Sequence, residues 1–186
     1  VMAVLRDHYE GSAYETEDRV GHRRHASPIC KMGTNSSSVF QLRSDMPVEI
    51  GAIWWLAMWQ PCSTPYMPLY PAASSVPPPL GFDPQSAGAC PFCVTSPGFG
   101  RAYRAFADYS AFVNDRYAGR IGPARSMWGE FESESIAVQH GIESEALKLW
   151  QSDRNSATAL LERYTHGAVS RALAMAERAL YEAEEY

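Results

Sequence analysis

PICKMGTNSSSVFQLRSDMPVEIGAIWWLAMWQPC, residues 28–62, decides the fold. From Ser37 to Arg43 the residues alternate: Ser37, Val39, Gln41 and Arg43 point one way, Ser38, Phe40 and Leu42 the other. The turn SDMP follows, where Pro47 cannot donate to a ladder. In EIGAIWWLAMW, Ile50, Ala52, Trp54, Leu56 and Met58 share one face, and Gly51, Ile53, Trp55, Ala57 and Trp59 the other. Both faces are apolar, so a strand here is covered on both sides. Periodicity alone leaves a buried helix open, but Gly51 and the β-favouring Ile and Trp residues point to a strand.

Outward from this stretch the chain divides into three zones. Residues 1–59 hold a short helix, a loop with the cluster Arg19, His22, Arg23, Arg24 and His25, and the two strands. Residues 60–100 carry ten of the thirteen prolines, which rules out a regular helix. Tyr66, Met67, Leu69, Tyr70, Phe82 and Phe92 give this zone surface to bury, so it reads as an ordered loop rather than a linker. Residues 101–186 are helical, with three apolar stripes: Tyr103, Phe106, Ser110, Val113 and Tyr117, ended by Gly119; Trp128, Phe131, Ser135, Val138 and Ile142; and Leu160, Leu161, Tyr164, Ala168, Ala172 and Leu180, with Gly167 as a break. Aromatic stripes at this spacing are core. The expected class is α+β, all three zones forming one domain.

At 46% apolar and 20% charged residues, the composition is that of a folded globular chain, and 186 residues suffice for a core. The net charge of -5 leaves no basic footprint for nucleic acid. IGAIWWLAMW is too short for a membrane span, and Glu182, Glu184 and Glu185 form a solvated helix terminus. The start lacks the order of a signal peptide and an initiator methionine, so Val1 reads as an interior residue of a longer product.

TNSSSVFQLR, DMPVEIG and QPCSTPYMPLY resemble segments of the dipeptidase A family, which includes secernin-like proteins and belongs to the N-terminal-nucleophile hydrolases. VMAVLRDHYEG, AYRAFADYSAFVNDRY, FESES and the closing SATALLERYTHGAVSRALAMAERAL resemble further family segments, in the right order. The resemblance implies the C-terminal portion of a cysteine-type dipeptidase. It also implies a share of a four-layer αββα body and hydrolysis of dipeptides through a thioester. The partners implied are the remaining N-terminal part of the same protein and further copies in a homo-oligomer. No nucleic acid, membrane, metal or organic cofactor is implied, and the cytoplasm is the favoured location. A related amidase or acylase, and a non-catalytic structural or interaction subunit, are the alternatives.

Such hydrolases use the thiol or hydroxyl of the first mature residue, with its α-amine as base. Val1 has neither, so the resemblance puts the nucleophile in a preceding part. Cleavage before Cys30 could expose a thiol, but Cys30 matches an internal family cysteine, and a small half-buried side chain is the simpler reading. TNSSSVFQL resembles a TNSP segment of the related bile-salt hydrolases, and the resemblance assigns oxyanion stabilisation to Asn35; Asn is also ordinary in turns. Ser36 and Ser37 could line the pocket. The resemblance to the wider group also implies an arginine near the start of a helix, to hold the thiolate or grip a substrate carboxylate, with Arg101 and Arg104 as the candidates and solvated helix arginines as the alternative.

Arg43 reads as a structural ion-pair partner, and Arg6, Asp7, His8 and Glu10 as mixed charges near a helix end without a role. Cys90 and Cys93 form a CxxC, with a short-range disulfide or free thiols ahead of a zinc or redox motif, because Cys30 and Cys62 are not paired in that way. His140 and His166 read as surface or packing residues.

Overall fold

The apolar run does become a strand covered on both faces. A computed structural model describes residues 1–9, 12, 28–81 and 100–184. β1 (Ser36–Leu42), β2 (Ala52–Met58) and β3 (Met67–Leu69) form an antiparallel sheet in the order β1-β2-β3. Val39 lies opposite Trp55, and Trp55 opposite Pro68. β3 falls inside the proline-rich zone, which the sequence reading left without a strand. Pro68 is admissible because β3 is an edge, where a missing N–H breaks no interior ladder.

β2 starts two residues later than the apolar alternation suggests. Val48–Gly51 forms a helical turn, α2, in which the Ile50 and Gly51 N–H groups donate to the Pro47 carbonyl at 2.9 and 2.7 Å. Glycine is required at 51, since a Cβ there would sit 2.8 Å from both the Arg43 carbonyl oxygen and Met46 Cγ. β2 stops at Met58, because Trp59 takes a left-handed backbone with φ 64°.

α1 (Met2–Leu5) opens the chain, and three long helices close it: α3 (Arg101–Asp115), α4 (Tyr117–Ser152) and α5 (Arg154–Glu184). Two expected stops are absent. Gly119 and Gly167 lie inside α4 and α5, and the break falls instead at Arg116, with φ −130° and ψ 55°. Single glycines weaken a helix by only about 1 kcal/mol, and packing of α4 on α5 overrides that. A 3₁₀ turn at Pro78–Leu80 leads to Gly81, which packs against Gly100, the residue capping α3.

One face of the sheet, with Leu56, Met67 and Leu69, packs on Phe106, Tyr109 and Val113 of α3, Trp128 and Phe131 of α4 and the small residues Ala168, Val169, Ala172 and Ala176 of α5. The opposite face, with Ile53, Trp55 and Ala57, packs with Ile50, Tyr66 and Tyr70 against Ala146 and Leu161. Among the described residues, β1 is covered on one side only. Phe40 and Leu42 are 63% and 73% exposed, and Phe40 stacks on Trp54 with ring centroids 6.0 Å apart.

The middle apolar stripe is displaced. Val138 is exposed and Ile142 half-buried, while Gln139 and Glu143 take the buried positions below Ser135. The reason is electrostatic: α4 buries two carboxylates, Glu132 and Glu143, each to meet an arginine from the N-terminal third. Among the described residues no helix is long and apolar enough to cross a membrane. The cluster from Arg19 to His25, and Glu10, Phe82, Phe92, Cys90, Cys93 and Glu185, lie outside the described residues.

Candidate functional site

The left-handed corner at Trp59 joins the two regions that hold the expected site residues. Its backbone N–H donates to the Asn35 carbonyl at 2.7 Å, closing the sheet at the start of β1. Its indole N–H donates to the Tyr103 carbonyl at 3.1 Å, and the two rings lie 5.3 Å apart. Asn35 and Ser36 are thus held at the same end of the molecule as the first turn of α3, which carries Arg101 and Arg104. All four residues are exposed.

Arg101 is already engaged. Its Nε and Nη2 each donate to Glu177 of α5 at 2.7 Å, a fork that steadies the start of α3. Ser37 turns to the other face, where its hydroxyl lies 2.6 Å from the Tyr66 hydroxyl. The contacts among described residues include no hydrogen bond from Asn35 to either arginine.

Below this corner, residues 60–64 make a turn buried throughout, with Gln60 and Cys62 2% and 1% exposed and Ser63 and Thr64 wholly inaccessible. Its polar groups are satisfied internally, as burial demands. Gln60 Nε2 donates to the Met32 carbonyl at 2.7 Å, Gln60 Oε1 accepts from the Ser110 hydroxyl, and the Trp128 indole donates to the Ser63 carbonyl at 2.8 Å. Arg6 clamps the turn from outside: its Nε donates to the Pro61 carbonyl at 2.6 Å, and its guanidinium grips Glu132 in a fork. Glu132 also accepts the Tyr66 backbone N–H at 2.7 Å. Arg6 therefore has a structural assignment that its place in a mixed-charge run did not disclose.

Arg43 forms the second fork, to Glu143, which also accepts from the Tyr70 hydroxyl at 2.8 Å and Gln139 Nε2 at 2.9 Å. Burial alone would raise the Glu143 carboxyl, but these three donors outweigh it and hold it below the ordinary range. Tyr70 is pushed up in turn, by burial and by its bond to Glu143.

The clamped turn also brings three chemically reactive side chains together. One ligand atom each from His8, Cys30 and Cys62 lies within 4.8 Å of the others, and this is the one such group of His, Cys, Asp or Glu side chains among the described residues. The Cys30 backbone N–H donates to the Asp7 carbonyl at 3.2 Å, which fixes Cys30 beside His8. His8 Nδ1 lies 2.6 Å from the Tyr117 hydroxyl. The hydrogen bond with Cys30, and then burial, push the Cys62 thiol up. A cleft of about 270 Å³ opens next to it, lined by Ala3, Arg6, Asp7, Cys62, Arg125 and Trp128. Sequence separations of 22 and 32 residues hid this grouping. The shared local feature is slight: Cys30 follows Pro28-Ile29 and Cys62 follows Pro61.

Residues 1–88 match the model of peptidase family C69. A stretch of 44 residues is 36% identical to a protein described as probable dipeptidase B from Streptococcus pyogenes serotype M1, covering 24% of this chain and 9% of that relative. No solved structure matches the chain. The matched residues contain the whole sheet, the buried turn, Asn35, Ser36 and the His8–Cys30–Cys62 group. Over these residues, just under half of its length, the chain is similar to peptidase family C69.

Proposed function

We propose that this chain is the C-terminal portion of a cysteine-type dipeptidase whose nucleophilic cysteine lies on a preceding part of the same protein. The observation that carries the reading is the family match over residues 1–88, which spans the very sheet that presents Asn35. The thiolate adds to the scissile carbonyl carbon, and the amide N–H of Asn35 stabilises the oxyanion. The C–N bond breaks as the α-amine of the nucleophile returns its proton to the leaving amine. Water then hydrolyses the thioester. Arg104, with Arg101 beside it, binds the free carboxylate of the dipeptide, and Ser36 lines the pocket.

Two features support a larger assembly. The uncovered face of β1, with Phe40 and Leu42, is apolar surface that a further layer would bury. β1 is also a sheet edge, able to accept another strand. Both fit an αββα body in which residues 1–59, 60–100 and 101–186 form parts of one domain, working as a homo-oligomer.

The test is hydrolysis of a dipeptide panel, set against acyl-amino acids, by the full-length polypeptide. Asn35→Ala is expected to lower kcat by about 10²–10³ with the fold intact. Arg104→Ala is expected to raise KM for dipeptides more than for C-terminally amidated ones. A preference for acyl-amino acids would indicate an acylase instead, and unchanged kcat in Asn35→Ala would remove Asn35 from the mechanism.

A further inference from the structure

We propose that His8, Cys30 and Cys62 form a binding site for one thiophilic divalent cation, of which Zn²⁺ is the best match. This departs from the sequence expectation of no metal and does not depend on the dipeptidase reading. Three arguments carry it.

The first is the donor set. Two thiolates and one imidazole are borderline-soft ligands that suit zinc. Bound as two thiolates with a neutral ring, they cancel the charge of a divalent ion. A buried site then holds no net charge, which is what a low-dielectric interior tolerates. Their ligand atoms converge within 4.8 Å, the spacing of a coordination sphere before the metal draws it in.

The second is preorganisation. Each ligand has an anchor of its own besides its contacts with the other two. Cys62 sits in the turn that Gln60, Ser110, Trp128 and Arg6 lock in place. Cys30 is tied to the Asp7 carbonyl. His8 is steadied by Tyr117 at Nδ1. In the bound form Nδ1–H donates to the Tyr117 oxygen, which leaves Nε2 as the ligand nitrogen; that atom is shielded from solvent. A hydrogen bond to the non-ligating ring nitrogen is the usual arrangement around a metal-bound histidine.

The third is access. Cys62 lines the cleft bounded by Asp7 and Arg125, so an ion can enter there and a water can complete the tetrahedron. Three protein ligands with an open fourth position are the pattern of a zinc site that can also hold an exogenous ligand.

The experiment titrates the reduced chain with Co²⁺ and then Zn²⁺, reading the thiolate-to-cobalt charge-transfer absorption. We expect one equivalent of Co²⁺ to produce the band and one equivalent of Zn²⁺ to abolish it. Binding should persist in a Cys90→Ser/Cys93→Ser variant and be lost in Cys30→Ser. Tyr117→Phe, which keeps all three ligands, should weaken it by about tenfold, with helical circular dichroism unchanged. The wild-type titration needs no variant to fold: absence of the band in fully reduced protein overturns the proposal. So does a band that vanishes with Cys90 and Cys93, and so does a Cys30–Cys62 crosslink in a protein that takes up no metal after reduction.

Discussion

The Trp59 indole N–H donates to the Tyr103 carbonyl across 3.1 Å, fastening the end of β2 to the first turn of α3. It does so from a left-handed backbone that a non-glycine residue adopts at a cost of about 1–2 kcal/mol. The strain persists because the side chain is what bridges the sheet to the helix.

Two substitutions separate these effects. Trp59→Ala loses the packing and the indole bond but keeps the strain, and is expected to cost about 2–4 kcal/mol. Trp59→Gly loses the same contacts but relieves the backbone, and should be about 1 kcal/mol more stable than the alanine variant. Urea unfolding of both variants measures the difference. If Gly and Ala are equal, the corner is not strained.

The buried Arg43–Glu143 fork sets an acid limit on stability. Glu143 titrates below its ordinary value of 4.5 in the folded chain. Its contribution is therefore complete above the unfolded value and is lost as pH falls through the folded one. Stability should decline on acidification below about pH 4.5, and Glu143→Gln should flatten that part of the profile. Glu143→Ala, which leaves the guanidinium without its carboxylate, is expected to cost about 3–5 kcal/mol at neutral pH. Thermal unfolding across a pH series reads all three.

Glycine positions give a contrast in sign. A Cβ at Gly100 would meet the carbonyl oxygens of Gly81 and Pro79 at 2.4 Å, both rigid backbone atoms. Gly100→Ala should cost about 1–3 kcal/mol by forcing the proline-rich segment off α3. Gly119, Gly141 and Gly167 lie within helices with nothing within 4 Å of an added Cβ. Alanine there should stabilise by about 0.5–1 kcal/mol each. Parallel denaturant melts of the four variants check the prediction, and a stabilising Gly100→Ala would contradict the packing described.

Local alternation was enough to reveal β1 within one residue and the two-sided burial of β2. It failed where tertiary contacts outweigh periodicity. Met67-Pro68-Leu69 pairs with β2 although its proline argues against a strand, because an edge forgives a missing donor. Gly119 and Gly167 read as stops, yet α4 and α5 pass through them once packed together. Glu143 is buried in place of its neighbour Ile142, because its partner Arg43 is 100 residues away and no local pattern can announce it. The same holds for His8, Cys30 and Cys62. The sequence displays the closely spaced Cys90 and Cys93, whereas the three residues that folding brings together come from three separate segments. The expected functional residues fared differently: Asn35 and the α3 arginines lie in separate zones, and the residue that links them, Trp59, was legible only as one more apolar position in the strand.

The proposed role in a cysteine-type dipeptidase is open to one decisive measurement. The most direct test combines dipeptide hydrolysis by the protein purified from its source with mass-spectrometric sequencing of every N-terminus in the active fraction. Hydrolysis is expected from a species that contains this sequence and bears a mature N-terminal cysteine, with activity abolished when that cysteine is alkylated. Hydrolysis that survives alkylation, or a homogeneous species carrying this sequence that cleaves no dipeptide, would contradict it.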